Sequence, residues 1–153
     1  MKLLKTIIVF VFLFSANLSA QFSIKTFLNE PLDQSMASIK EKLAGKKIEE
    51  KEVKNFKSIL YYDWLDPISV KVGYLFTPEG KPNGKVLSNG NKTEEDSQKL
   101  FDMSKASLIK KYGSNFSENS MMGITMLHWA GLENSAIMLS HKGETTMLTV
   151  MKK

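Results

Sequence analysis

The sequence predicts an α+β protein built from two helix-plus-antiparallel-strand repeats, with the helices packed on one face of an antiparallel sheet. Three observations carry this expectation. Two segments with helical spacing stop at glycine, at Leu43-Ala44-Gly45 and at Lys111-Tyr112-Gly113. Each is followed by runs of strand-favouring residues divided by turn sequences, so the order is helix, strands, helix, strands. A tryptophan also stands in a matching place in each half. Trp64 precedes Val70-Lys71-Val72-Gly73-Tyr74 across a five-residue gap, and Trp129 precedes Ser135-Ala136-Ile137-Met138-Leu139 in the same way. The structural alternative to a binding role for these indoles is that both fill equivalent places beneath the two helices.

Residues 1–20 have the three-part form of a secretory signal peptide: Lys2 and Lys5, then an apolar run to Phe14, then small and polar residues ending at Ala20. The apolar run is about half of the ~20 residues that cross a bilayer, so cleavage after Ala20 is expected rather than anchoring. The remainder, 21–153, reads as a single α+β domain with repeat halves at about 31–88 and 93–153. The whole chain of 153 residues contains no cysteine, which removes lipidation at cysteine, disulfide bracing and a thiol nucleophile. A periplasmic or secreted protein with no integral membrane segment after cleavage follows.

In residues 21–28 the alternation of Phe22, Ile24 and Thr26 suits a short strand or an extended lead-in. Asn29-Glu30-Pro31 breaks it. Asp33 or Ser35 caps a first helix whose stripe is Met36, Ile39 and Leu43, and Gly45 supplies its left-handed stop. Residues 46–57 mix lysine and glutamate with neither period dominant, which suits a solvated edge strand or loop. Clear strands follow at 58–64 and 68–76, separated by Asp66-Pro67, and a long turn through Pro78, Gly80 and Pro82 leads to a strand at 85–88. Thr93 caps the second helix, with Glu94, Glu95 and Asp96 against its positive end. That helix runs to about Tyr112 on a stripe of Phe101, Leu108, Ile109 and Tyr112, with Lys105 reaching outward along its alkyl stem. After a polar loop through Ser120, strands at 123–129, 135–141 and 145–151 form a meander with a tight turn at Lys142-Gly143-Glu144.

This layout, carried by the element order and the two tryptophans across most of residues 31–153, resembles the tandem-repeat architecture of the beta-lactamase inhibitor protein-like families. The resemblance implies an exported binding or inhibitory module in which both units contribute to one shared sheet, with no catalytic residues. It assigns no individual functional position.

The residue inventory argues against several chemistries. All 21 basic residues are lysine, and without the planar arginine fork a site for specific nucleic-acid reading is not expected. Removal of Lys2 and Lys5 takes the formal charge from +5 to +3, a solubilising surface more than a steering field. His128 and His141 lie on different strands, and two histidines without cysteine fall short of a zinc ligand set, so no metal and no cofactor are expected. No serine sits in a G-x-S-x-G frame. Asp63, Asp66 and Glu133 read as strand ends and turn formers rather than an acid–base pair. Gly80-Lys81-Pro82-Asn83-Gly84-Lys85 lacks phosphate-loop spacing. The protein is not expected to be an enzyme.

The aromatic residues are the remaining functional candidates. Tyr61, Tyr62, Trp64, Tyr74 and Trp129 are the expected binding residues, because alternation sends Tyr62 and Trp64 to one side of a strand and Tyr61 to the other. Exposed Tyr and Trp on a rigid sheet make effective hot spots. The sequence therefore points to a module that contacts another protein through an exposed sheet face. The alternative is a carrier of a lipid or small hydrophobic ligand in a cleft lined by methionine and aromatic side chains. The methionines of the second half, among them Met126, Met138, Met147 and Met151, are otherwise read as core filling.

Overall fold

The computed structural model describes residues 21–53 and 56–153; the predicted signal peptide lies outside the described residues. Among the described residues it is an α+β protein with three helices and one eight-stranded sheet. In chain order the elements are α1 (Ile24–Asn29), α2 (Met36–Lys42), β1 (Ile48–Val53), β2 (Phe56–Leu65), β3 (Ile68–Phe76), β4 (Pro82–Asn89), α3 (Glu94–Tyr112), β5 (Ser117–Met121), β6 (Ile124–Trp129), β7 (Ser135–Lys142) and β8 (Thr145–Lys152). Every strand pairing is antiparallel. The spatial order is β1-β2-β3-β4-β8-β7-β6-β5, so two four-stranded meanders meet at the β4–β8 pair and the sheet ends in β1 on one side and β5 on the other.

Residues 24–29 are helical rather than extended. The Ser23 side chain accepts the Thr26 amide hydrogen, and Ile24, Phe27 and Leu28 at i, i+3 and i+4 all point into the core. Over so short a span the alternation of Phe22, Ile24 and Thr26 mimics a strand, and burial of the three-residue stripe outweighs it. α2 begins at the Ser35 cap, and Gly45 beyond it takes the left-handed backbone with φ 86°. β5 is the other departure. Its five residues are all exposed, so the hydrophobic pattern that reveals a half-buried strand is missing there.

α3 is capped by the Thr93 hydroxyl and closed by Gly113, as its sequence requires. The face it buries is Ser97, Leu100, Phe101, Ser104 and Leu108, whereas Ile109 is 37% exposed. Two serines on the stripe let the helix lie close on the sheet but weaken its apolar signature. Lys105 folds along the surface, with Nζ 5.7 Å from the centre of the Phe116 ring. α3 rests on β3, β4, β7 and β8 and touches α1. Ile39 and Leu43 of the α2 region join the same core.

Alternation along the strands separates two faces. Ile59, Tyr61 and Leu65 of β2, Val70, Val72, Tyr74 and Phe76 of β3, Leu87 of β4, Leu148 and Val150 of β8, Ile137 and Leu139 of β7, and Leu127 and Trp129 of β6 are buried beneath the helices. Among the described residues no helix covers the opposite face.

Candidate binding face

The five aromatic candidates divide between these faces. Tyr62 and Trp64 are each 52% exposed on the open face of β2. Tyr61, Tyr74 and Trp129 are buried on the helix side, at 5%, 5% and 2% exposure. The expected equivalence of the two tryptophans is therefore corrected. Leu65, not Trp64, takes the inward position at the end of β2, while Trp129 takes it at the end of β6. A shift of one residue along a strand reverses the face. Trp129 packs on Phe116 with ring centres 4.6 Å apart, and its Nε1–H donates to the Gly113 carbonyl at 3.0 Å, tying β6 to the end of α3.

Register defines what surrounds Tyr62 and Trp64. Tyr62 lies opposite Lys71, and the same row continues through Ser88, Met147, Ser140 and Met126. The neighbouring row runs Leu60, Gly73, Val86, Thr149, Met138 and His128. The Lys71 ammonium sits 5.2 Å from the centre of the Tyr62 ring, a cation–π contact that holds the phenol in place. Gly73 is required in its row: a Cβ there would come within 2.7 Å of both Leu60 Cδ2 and Val86 Cγ1. Those two side chains close over it and make the middle of the face apolar. Gly84 plays the same part for Met151, whose Sδ would lie 2.7 Å from an added Cβ. Several methionines read as core filling belong to this surface instead, with Met138 and Met147 each 39% exposed at alternate positions of β7 and β8.

Beneath the helices the buried tyrosines have structural partners. Tyr61 and Tyr74 stack with centres 6.3 Å apart. The Tyr74 hydroxyl lies 3.0 and 2.9 Å from the two carboxylate oxygens of Glu30, to which Gln34 Nε2 donates and Lys42 is paired. Lys85, only 1% exposed, donates to the Phe27 carbonyl and, at 2.6 Å, to the Glu30 carbonyl, and so satisfies the end of α1. Lys111 Nζ donates to the Leu28 carbonyl at 2.9 Å and to Asn29 Oδ1 at 2.6 Å. Sequence reading missed this clamp because its members are far apart in the chain and lysine at an inward strand position carries no distinguishing pattern.

The clamp has a pH signature. Burial pushes the Lys85 ammonium down to about 8, against an opposing pull from Glu30. Between pH 8 and the unfolded value of ~10.5 the folded chain releases this proton first, so stability rises with pH, by on the order of 3 kcal/mol. Burial also pushes Tyr61 up to about 12 and Tyr74 higher still. Above pH ~10 the unfolded chain therefore ionises its tyrosines first and stability falls. Urea unfolding of the wild type is expected to show a stability maximum near pH ~10, and Lys85→Met to lose the rising limb while keeping the fall. Identical profiles in the two proteins would contradict this role for Lys85.

The histidines are separated by the sheet: His128 is on the open face and His141 on the helix side. His141 Nδ1 lies 2.8 Å from Thr146 Oγ1 and 3.1 Å from Ser97 Oγ. Thr146 commits its hydroxyl hydrogen to the Ser97 carbonyl at 2.8 Å, so Nδ1 must carry a hydrogen and donate to Thr146. A nitrogen that already holds its proton cannot take one from Ser97, and Ser97 and Thr146 are both fully buried. This is a structural network joining α3, β7 and β8. Asn89 extends it by accepting the Thr146 amide hydrogen at 2.9 Å. Among the described residues no three His, Cys, Asp or Glu side chains converge on a metal position.

Two of the surface hollows are framed by lysines whose aliphatic stems leave more apolar than polar wall exposed. One of about 360 Å³ is lined by Lys25, Leu28, Asn29, Ser107, Lys110 and Lys111, and one of about 410 Å³ by Lys46, Lys47, Glu49, Tyr62 and Asp63. The hollow between Leu32, Tyr74, Phe76 and Lys85 has a volume of only about 10 Å³, room for one water at most. In comparisons with known proteins the chain matches no family model, no curated protein and no solved structure.

Proposed function

We propose that this protein is an exported, non-enzymatic binding module that contacts another protein through the open face of its sheet, with Tyr62 and Trp64 as anchors. The observation that carries the reading is the placement of two half-exposed aromatic rings on the face that no helix covers among the described residues, beside an apolar floor of Leu60 and Val86 and next to Lys71. Large rings held by a rigid sheet lose little conformational freedom on binding, and a lysine rim adds directionality without burying a charge. The second reading, a carrier of a hydrophobic ligand, finds less support. The hollow between Leu32, Tyr74, Phe76 and Lys85 holds one water at most, and no methionine lines it or either of the two larger hollows.

The sheet order supports a duplicated layout of the kind found in beta-lactamase inhibitor protein-like modules. Each four-stranded meander follows a helix, and the two meet through β4 and β8. On this reading the tryptophans are not the marks of the duplication; strand order is. The function is tested by affinity capture from an exported fraction. Wild-type protein is expected to retain one reproducible partner that the Tyr62→Ala/Trp64→Ala double variant loses. Equal recovery on both baits would overturn the assignment of the face.

A further inference from the structure

We propose that Met126, His128, Met138 and Met147 form a site for a soft monovalent cation of the copper(I) or silver(I) class. It lies on the open face of β6, β7 and β8, three strands away from Tyr62 and Trp64. Met138 is the hub. It lies directly opposite His128 in the β6–β7 register. Met126 and Met147 flank it on either side, each paired with Ser140, two residues along β7. Leu127, Leu139 and Leu148 at the intervening positions are fully buried, so the four ligand residues share the opposite, open face.

Directly opposed side chains start from Cβ atoms about 4.5–5.5 Å apart, and diagonal ones about 7–8 Å apart. Three rotatable bonds let methionine sulfur close such gaps.

The chemistry of the set selects its ligand. Three soft, neutral thioethers beside a single borderline imidazole favour a monovalent thiophilic ion over zinc, calcium or magnesium. The neighbours that register adds are neutral as well: Ser117 opposite His128, Asn119 opposite Met126, and Thr149 opposite Met138. The carboxylate of Glu118 belongs to the other face, since Glu118 pairs with the inward Leu127. The side chains are also reachable, with Met138 and Met147 each 39% exposed. A hydrophobic core needs none of these four at the surface, and alternation alone does not ask for methionine on each of three neighbouring strands around one point.

Silver(I) titration of the purified protein carrying ¹³C-methyl methionine, followed by NMR, tests the proposal. The methyl signals of Met126, Met138 and Met147 are expected to shift together and saturate at one equivalent, while Met36 and Met103 stay in place. Met138→Leu, which conserves volume and so the fold, is expected to weaken binding at least ~10-fold, as is His128→Ala, the loss of one good ligand contact. Met122→Leu, at the β5–β6 turn, should bind as the wild type does. Shifts at Met121 and Met122 as large as that at Met138, an affinity unchanged in Met138→Leu, or no saturable shift at all would overturn the site.

Discussion

Truncating Trp129 to alanine is expected to destabilise the fold by about 3–5 kcal/mol, the usual cost of removing a large buried ring. Trp64→Ala should change stability by no more than about 1 kcal/mol. The contrast follows from placement. Trp129 is 2% exposed, fills the space against Phe116 and satisfies the Gly113 carbonyl at the end of α3. Its loss leaves a cavity and takes the hydrogen bond from that carbonyl, two costs that act on the same joint between helix and sheet. Trp64 is half exposed, and its backbone N–H is already engaged by Asp63 Oδ1 at 2.9 Å, a contact that alanine keeps. Urea midpoints of the two variants decide the matter. Equal losses would mean that the two indoles do share surroundings.

The second large effect concerns binding. Tyr62→Ala and Trp64→Ala are each expected to weaken the complex with the captured partner by about 2 kcal/mol or more, roughly 30-fold in Kd for each. The two rings stand two residues apart on one strand, so they lie within one contact patch and their effects are expected to be non-additive. Lys71→Ala should cost less, because a rim charge beside an aromatic ring governs encounter and orientation more than the lifetime of the complex. Tyr61→Phe is the internal control. That ring is buried on the helix side, so its hydroxyl cannot reach a partner on the open face. Titration calorimetry on these variants, with unfolding midpoints alongside, separates loss of contact from loss of fold.

The parts of this fold that are legible in the sequence are those where one physical cause dominates. β3 was readable because Ile68, Val70, Val72 and Tyr74 all face the core. The start and stop of α3 were readable because Thr93 and Gly113 do what a cap and a left-handed stop require. α1 was not, because its stripe of Ile24, Phe27 and Leu28 is too short for helical spacing to beat alternation. β5 was not, because Ser117–Met121 is a polar edge whose only strand evidence is its pairing with β6.

The candidate site was half legible for a related reason. Alternation correctly separates Tyr61 from Tyr62 and Trp64, but it does not say which side the helices will cover. The similarity of the two tryptophan contexts suggested a shared environment, and a one-residue difference in phase along β2 and β6 sends the indoles to opposite faces. Methionine is equally at home inside and outside a sheet, so Met138 and Met147 carried no usable orientation until the register was known. The Glu30, Tyr74 and Lys85 clamp is a product of long-range packing and has no local signature at all.

Photo-crosslinking gives the most direct test of which surface this protein uses. With p-benzoylphenylalanine placed at position 62 in one protein and at position 98, on the exposed side of α3, in another, the bound partner is expected to crosslink from position 62 alone. Crosslinks from position 98 with none from position 62 would place the contact on the helical side and contradict the account.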